Sequence, residues 1–178
     1  VAAEIAAWLV ENMEKGRTYL IGPGSTTAAI MEELDLPNTL LGVDAVRDGA
    51  LLASDADEDT MLALLAEATG GATIVVSVIG GQGYLYGRGN QQFSPRVIRS
   101  VGLENIVVVA ARSKVAALEG RPLLVDTDDP QLDAELSGYR AILAGYDDRI
   151  LYRVAADAGA SPAAAADEKA ADSGAAPG

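Results

Sequence analysis

Along this chain the spacing of apolar residues shifts repeatedly between helical and strand periods, and the shifts outline the elements. Residues 2–15 place Ile5, Trp8, Leu9 and Met13 at helical spacing, with Glu4, Glu11 and Glu14 elsewhere around the helix and Gly16 placed to end it. Residues 17–21 form a short strand, and residues 28–34 a helix after an intervening glycine-rich turn. Residues 40–46 and 50–53 flank Arg47-Asp48-Gly49, a hairpin signal. Residues 60–68 form a helix whose first turn carries Asp57, Glu58 and Asp59. The β-branched run 72–78 reads as a buried strand, as does 105–111. Between them Ser94 and Pro95 look like the cap and first position of a helix running to Val101 and closed by Gly102. Ser113 is placed to cap a short helix to Leu118. A strand over 123–125 then leads to Asp126–Asp129, acids placed to cap a helix over 131–136. Two strands, 139–143 and 149–154, close the pattern around the turn 145–148.

Strands alternate with helices and the inner strands are apolar throughout. The expected fold is therefore α/β, a mostly parallel sheet layered with helices, plus a β-hairpin. Residues 1–155 read as one domain. From 156 to 178 the chain is Ala, Gly, Ser, Pro and acids without apolar period, which reads as a disordered tail. In such sheets ligand loops gather beyond the strand C-termini, where the turns after Ile21, Val43 and Ile79 are expected.

Two of those turns carry ligand chemistry. Residues 22–27, Gly-Pro-Gly-Ser-Thr-Thr, join a strand to a helix; the expectation is that free N–H groups and a helix N-terminus there face a phosphate. Gly22, Gly24, Ser25, Thr26 and Thr27 are the candidate contacts. No Gly-Lys-Ser/Thr follows, so this is not a Walker A loop. Residues 79–95 hold five glycines within ten positions, with Arg88, Asn90, Gln91 and Gln92 threaded among them. Glycines allow positive φ and close approach; Arg88 suits a forked phosphate contact, and the amides suit hydroxyls or base edges. Gly80, Gly81, Gln82, Gly83, Arg88, Asn90 and Gln91 complete the candidate binding set. Asp44 is the candidate carboxylate for a metal. Asp55, Asp57, Glu58 and Asp59 also offer oxygens for Mg2+, although Glu58 and Asp59 read better as helix-start acids.

Composition narrows the functions. The chain has no cysteine and no histidine, which excludes disulfides, thiolate or imidazole metal sites and histidine-based triads. Thirteen basic against twenty-six acidic residues give a formal charge of −13, which argues against nucleic acid or anionic membranes as partners. An acid-rich, lysine-poor surface suits a halophilic, salty cytoplasm. No apolar run is long enough to span a membrane and no signal peptide is visible, so a cytoplasmic location is expected. The chain opens on Val1, inside an expected helix, and reads as a piece of something longer.

Taken together, Gly22-Pro23-Gly24-Ser25-Thr26-Thr27, Leu41-Gly42-Val43-Asp44, Ile79-Gly80-Gly81-Gln82-Gly83 with Gly87-Arg88-Gly89-Asn90-Gln91, and Leu124-Val125-Asp126-Thr127 with Asp129-Pro130 resemble the C-terminal half of ATP–NAD kinase-like proteins, the AcoX-related branch of the NAD kinase superfamily. The resemblance spans roughly residues 2–154. It implies ATP-dependent phosphorylation of a hydroxyl, nominally the 2′-OH of NAD, with Mg2+ or another divalent metal. The family's Gly-Gly-Asp-Gly-Thr motif lies in an N-terminal lobe and has no match here; Gln82 stands where an acid would be, and an amide accepts no proton at neutral pH. The resemblance thus implies that the lobe is a partner within the same protein and that this part alone is inactive. A non-catalytic nucleotide sensor and a sugar-phosphate isomerase are the alternative readings. The second is disfavoured by lysines that lie away from every glycine loop. A homo-oligomer is compatible with the sequence.

Overall fold

A computed structural model describes residues 1–79, 81–87 and 92–157. Its elements are α1 (Ala2–Glu11), β1 (Thr18–Ile21), α2 (Ser25–Glu33), β2 (Asp44–Arg47), β3 (Ala50–Ala53), α3 (Glu58–Glu67), β4 (Ala72–Ser77) and β5 (Tyr84–Tyr86). They continue with α4 (Pro95–Val101), a 3-10 turn (Leu103–Asn105), β6 (Ile106–Val109), α5 (Arg112–Ala116), β7 (Leu123–Val125), α6 (Pro130–Leu136), β8 (Gly138–Gly145) and β9 (Asp148–Ala156). Among the described residues the strands form one sheet in the order β3-β2-β1-β4-β6-β8-β9-β7-β5. The central strands β1, β4, β6 and β8 run parallel, and β2 and β9 run against their neighbours β1 and β8. Strands β7 and β5 follow the direction of β9. The fold is α/β with a mostly parallel sheet, as the pattern predicts.

The inner strands β1, β4 and β6 are largely apolar because both of their faces are covered. Tyr19, Ile21, Val75, Val109 and Leu143 point to one side and pack with Ile5 and Leu9 of α1 and Ile30 and Met31 of α2. Their alternates Leu20, Ile74, Val76, Val108 and Ile142 point to the other side. There they meet Met61 of α3, Val97 and Ile98 of α4, and Leu132 and Leu136 of α6. This two-residue alternation within continuous apolar runs is the signature of a doubly covered sheet. At the N-terminal end of β1, Arg17 binds Thr73 Oγ1 (2.7 Å), the Ala72 carbonyl (2.8 Å) and Asn105 Oδ1 (2.9 Å), a polar stitch across β1, β4 and the turn before β6.

Several boundaries differ from the pattern. Helix α1 stops at Glu11, where the Asn12 side chain donates to the Trp8 carbonyl. Residues 40–43 are not strand; β2 begins only at Asp44, whose carboxylate gathers the loop instead. Helix α5 starts at Arg112 with Ala111 as its N-cap, so Ser113 lies inside the helix and does not cap it. Strand β9 extends through Ala156, and the Asp157 N–H donates to the Val125 carbonyl at 3.0 Å, so strand pairing runs past residue 155, the expected end of the domain. Residues 158–178 of that expected tail lie outside the described residues.

Candidate functional site

The site is built where β1 and β4 end side by side. Ile21 pairs with Val75 on one side and with Asp44 on the other. One residue on, the Gly22 N–H still donates to the Val75 carbonyl at 2.9 Å. A Cβ on Gly22 would lie 3.0 Å from the Phe93 ring, and one on Gly24 would lie 3.2 Å from the Ser77 side chain. The missing side chains therefore let Phe93 and Ser77 close around the turn. Gly24, at φ +131°, is the N-cap of α2. It offers no side-chain acceptor, so the first-turn N–H groups of Ser25, Thr26 and Thr27 are left without a cap of that kind. Thr27 Oγ1 donates back to the Gly24 carbonyl at 3.0 Å and holds the turn. Of the three longest described helices, α1 and α3 carry acids in the first turn and α2 carries none; the shorter α4 and α5 carry none either. In so acidic a chain, this leaves the positive end of the α2 dipole without a local counter-charge.

Asp44 opens β2 at the same end of the sheet, reached by an antiparallel strand and not by the strand exit that the pattern suggested. It is 1 % exposed; Oδ2 accepts from Thr39 N (2.8 Å) and Oδ1 from Asp55 N (3.1 Å). Each oxygen keeps lone-pair capacity, but its evident work is to fold the 39–44 loop onto residue 55. A Cβ on Gly42 would come within 2.1 Å of Asp55 Oδ1, so a side chain there would displace the Asp55 carboxylate. Among the described residues no group of three or more metal-ligating side chains forms.

The glycine-rich segment returns to this end through Gln92 and Phe93. Gln92 Nε2 donates to the Leu41 carbonyl at 2.8 Å. Phe93, 3 % exposed, stands edge-on to Tyr86 with ring centroids 6.0 Å apart. Ser94 Oγ accepts from Val97 N at 3.3 Å and caps α4. A cavity of about 320 Å³ beside Phe93 is lined by Gly87, Phe93, Ser94, Pro95, Asp126, Thr127 and Asp128. Asp133, 8 % exposed, holds that rim by accepting from Thr127 N (3.0 Å) and Thr127 Oγ1 (2.6 Å).

The structure thus brings Gly22, Gly24, Ser25, Thr26, Thr27 and Asp44 to one end of the sheet. Gly81, Gln82 and Gly83 form the turn between Ile79 and Tyr84. Gly81 and Gln82 are exposed, while Gly83, at φ +79°, is pressed against Leu118 and Leu123 and accepts from Leu124 N at 2.9 Å. Its missing side chain serves packing against hydrocarbon. Gly80, Arg88, Asn90 and Gln91 lie outside the described residues. Ser77 and Phe93 were not among the expected contacts; Gln92 was counted with the amides of its segment but not in the candidate set. A polar residue ending an apolar run and the single phenylalanine of the chain were the available signals.

The model of the ATP-NAD kinase C-terminal domain matches residues 14–154. The chain belongs to that family. No curated protein and no solved structure gives a match. The match runs from before β1 into β9, so the loops described above belong to the ATP-NAD kinase C-terminal domain itself. The family is one of kinases. Among the described residues no helix is long and apolar enough to cross a membrane.

Proposed function

We propose that this chain is the nucleotide-binding part of an NAD kinase-like phosphotransferase, acting in the cytoplasm on NAD or a related hydroxyl acceptor with ATP and a divalent metal. The observation that carries the reading is the acid-free N-terminus of α2, closed around by Ser77 and Phe93 through Gly22 and Gly24. Gly22, Gly24, Ser25, Thr26 and Thr27 hold phosphate oxygens through main-chain and hydroxyl donors. Gly80, Gly81, Gln82, Arg88, Asn90 and Gln91 complete the ligand's surroundings, Gly83 being taken up by packing against Leu118 and Leu123. Arg88 neutralises charge that develops during transfer, and Asn90 and Gln91 orient ribose or base. Asp44 is the carboxylate available to a metal, which would take its remaining oxygens from phosphate and water. The group that acts on the acceptor hydroxyl comes from a preceding lobe, because Gln82 cannot accept a proton.

Calorimetry of this chain with ATP, NAD and ribose 5-phosphate in high salt tests the reading. ATP and NAD are expected to bind, and Gly24→Ala to weaken both at least about tenfold by crowding Ser77 and straining the turn. Turnover is expected only when the preceding lobe is present. Tighter binding of ribose 5-phosphate than of either nucleotide would favour an isomerase instead.

A further inference from the structure

Gln92 lies one residue before Phe93, on the segment that returns to the 22–27 loop. The bond from Nε2 to the Leu41 carbonyl fixes which way round its carboxamide lies, since the reverse setting would oppose two oxygens. The other end, Oε1, then faces inward, buried, and no donor among the described residues reaches it. A buried carbonyl left in this state is costly and calls for an explanation. Among the described residues Tyr86 carries another such atom, but deep in the core; Gln92 sits where the ligand loops meet. The turn it holds carries Leu40 and Leu41, 76 % and 74 % exposed, an unusual placement for two adjacent leucines.

Building on the phosphate-site reading above, we propose that Gln92 is a specificity-determining residue whose Oε1 accepts a hydrogen bond from a sugar hydroxyl of a phosphorylated ligand. Neighbouring side chains open onto Oε1 to admit that hydroxyl, while the Nε2 bond to the Leu41 carbonyl stays made. Position favours a sugar hydroxyl over a base amine. The Phe93 ring touches Gly22, so Gln92 is one residue from the phosphate loop, and in a nucleotide the ribose lies nearer the phosphates than the base does. Without the hydroxyl, the buried acceptor stays unpaired, which is how such a site rejects an analogue that lacks it.

The test titrates the chain with inorganic pyrophosphate, NAD, and NAD analogues lacking the 2′- or the 3′-hydroxyl of the adenosine ribose. The wild-type chain is expected to bind one of the deoxy analogues about tenfold more weakly than NAD, the effect of one hydrogen bond to a buried acceptor. Gln92→Met is expected to lose that preference, binding NAD and the analogue alike, while pyrophosphate affinity falls by no more than about threefold and the thermal unfolding midpoint, with the bond to the Leu41 carbonyl lost, by no more than about 4 °C. Equal affinity of the wild-type chain for NAD and both analogues overturns the proposal, whatever the variant does. A preference that survives in Gln92→Met overturns it too, as does an equal loss of pyrophosphate and NAD affinity, which marks a loop tie only. In all three cases the phosphate-site reading stands. If neither pyrophosphate nor NAD binds the wild-type chain, both readings fall together.

Discussion

At Gly87 φ is +93°, and a Cβ would lie 2.4 Å from the Asp126 carbonyl oxygen. Gly16 has a similar φ of +79° with nothing within 4 Å. Alanine at Gly16 is expected to cost about 1 kcal/mol for backbone strain alone, and at Gly87 about 3 kcal/mol because main chain must also move. Urea unfolding of the two variants checks the difference; equal losses would contradict it. Tyr86 offers the opposite case. Its hydroxyl is buried with no partner among the described residues, and burial pushes its pKa well above the usual phenol value, Arg140 opposing only weakly. Tyr86→Phe is therefore expected to leave stability unchanged or to raise it by up to about 1 kcal/mol. A phenol whose folded pKa is raised contributes stability below its unfolded pKa and loses it as pH rises. The wild-type chain should thus lose stability above about pH 10, and Tyr86→Phe should lose less. None of this was visible in sequence. The glycines of the 80–89 stretch look alike in composition, yet the neighbours that require Gly83 and Gly87 are Leu118 and Asp126, brought in by later elements.

Among the elements, those with explicit terminal chemistry were the most legible. Ser94 with Pro95, Asp129 with Pro130, and Asp57 before Glu58 all mark helix starts, and each side chain accepts a first-turn N–H. Periodicity alone did worse. It carried β2 back over residues 40–43, which a single buried carboxylate, Asp44, instead folds as a loop, and it left Ser25–Thr27 outside a helix that in fact begins with them. Both misplacements fall at the site, where local preference yields to tertiary contacts. Two caps should show in the acid limb of stability. The Thr60 hydrogen bonds lower the pKa of Asp57, and the Leu132 N–H, followed by Arg99, lowers that of Asp129. A carboxyl with a depressed folded pKa contributes stability above its unfolded pKa and loses it as pH falls through the folded one. The thermal midpoint should accordingly decline below about pH 4, less steeply in an Asp57→Asn, Asp129→Asn double variant, whose amides still accept. Identical slopes would contradict this. Asp133 ties α6 to the rim at Thr127, and Asp133→Ala is expected to cost about 2 kcal/mol in urea unfolding by leaving the Thr127 N–H unpaired.

At the scale of the molecule, covered faces leave the sheet one kind of place to put polar main chain, the ends of its strands. The N-terminal end of β1 is stitched shut by Arg17; the C-terminal end gathers Gly22, Gly24, Ser77, Asp44 and the returning Gln92 and Phe93. The alternation of apolar strands with helices made the layered fold and this end of it legible. The reversal of β9 followed from the short turn 145–148, but that of β5 and β7 was not legible, because direction depends on which strands pair and pairing leaves no local mark in the chain. The central claim is that the 22–27 loop and the Gln92 and Phe93 segment enclose one anion. Amide chemical shifts followed during a pyrophosphate titration test it most directly. The amides of Gly24, Ser25, Thr26 and Thr27 should move together with those of Gly42, Gln92 and Phe93, all with a single dissociation constant. Shifts confined to one of the two segments, or two unrelated constants, would contradict the account.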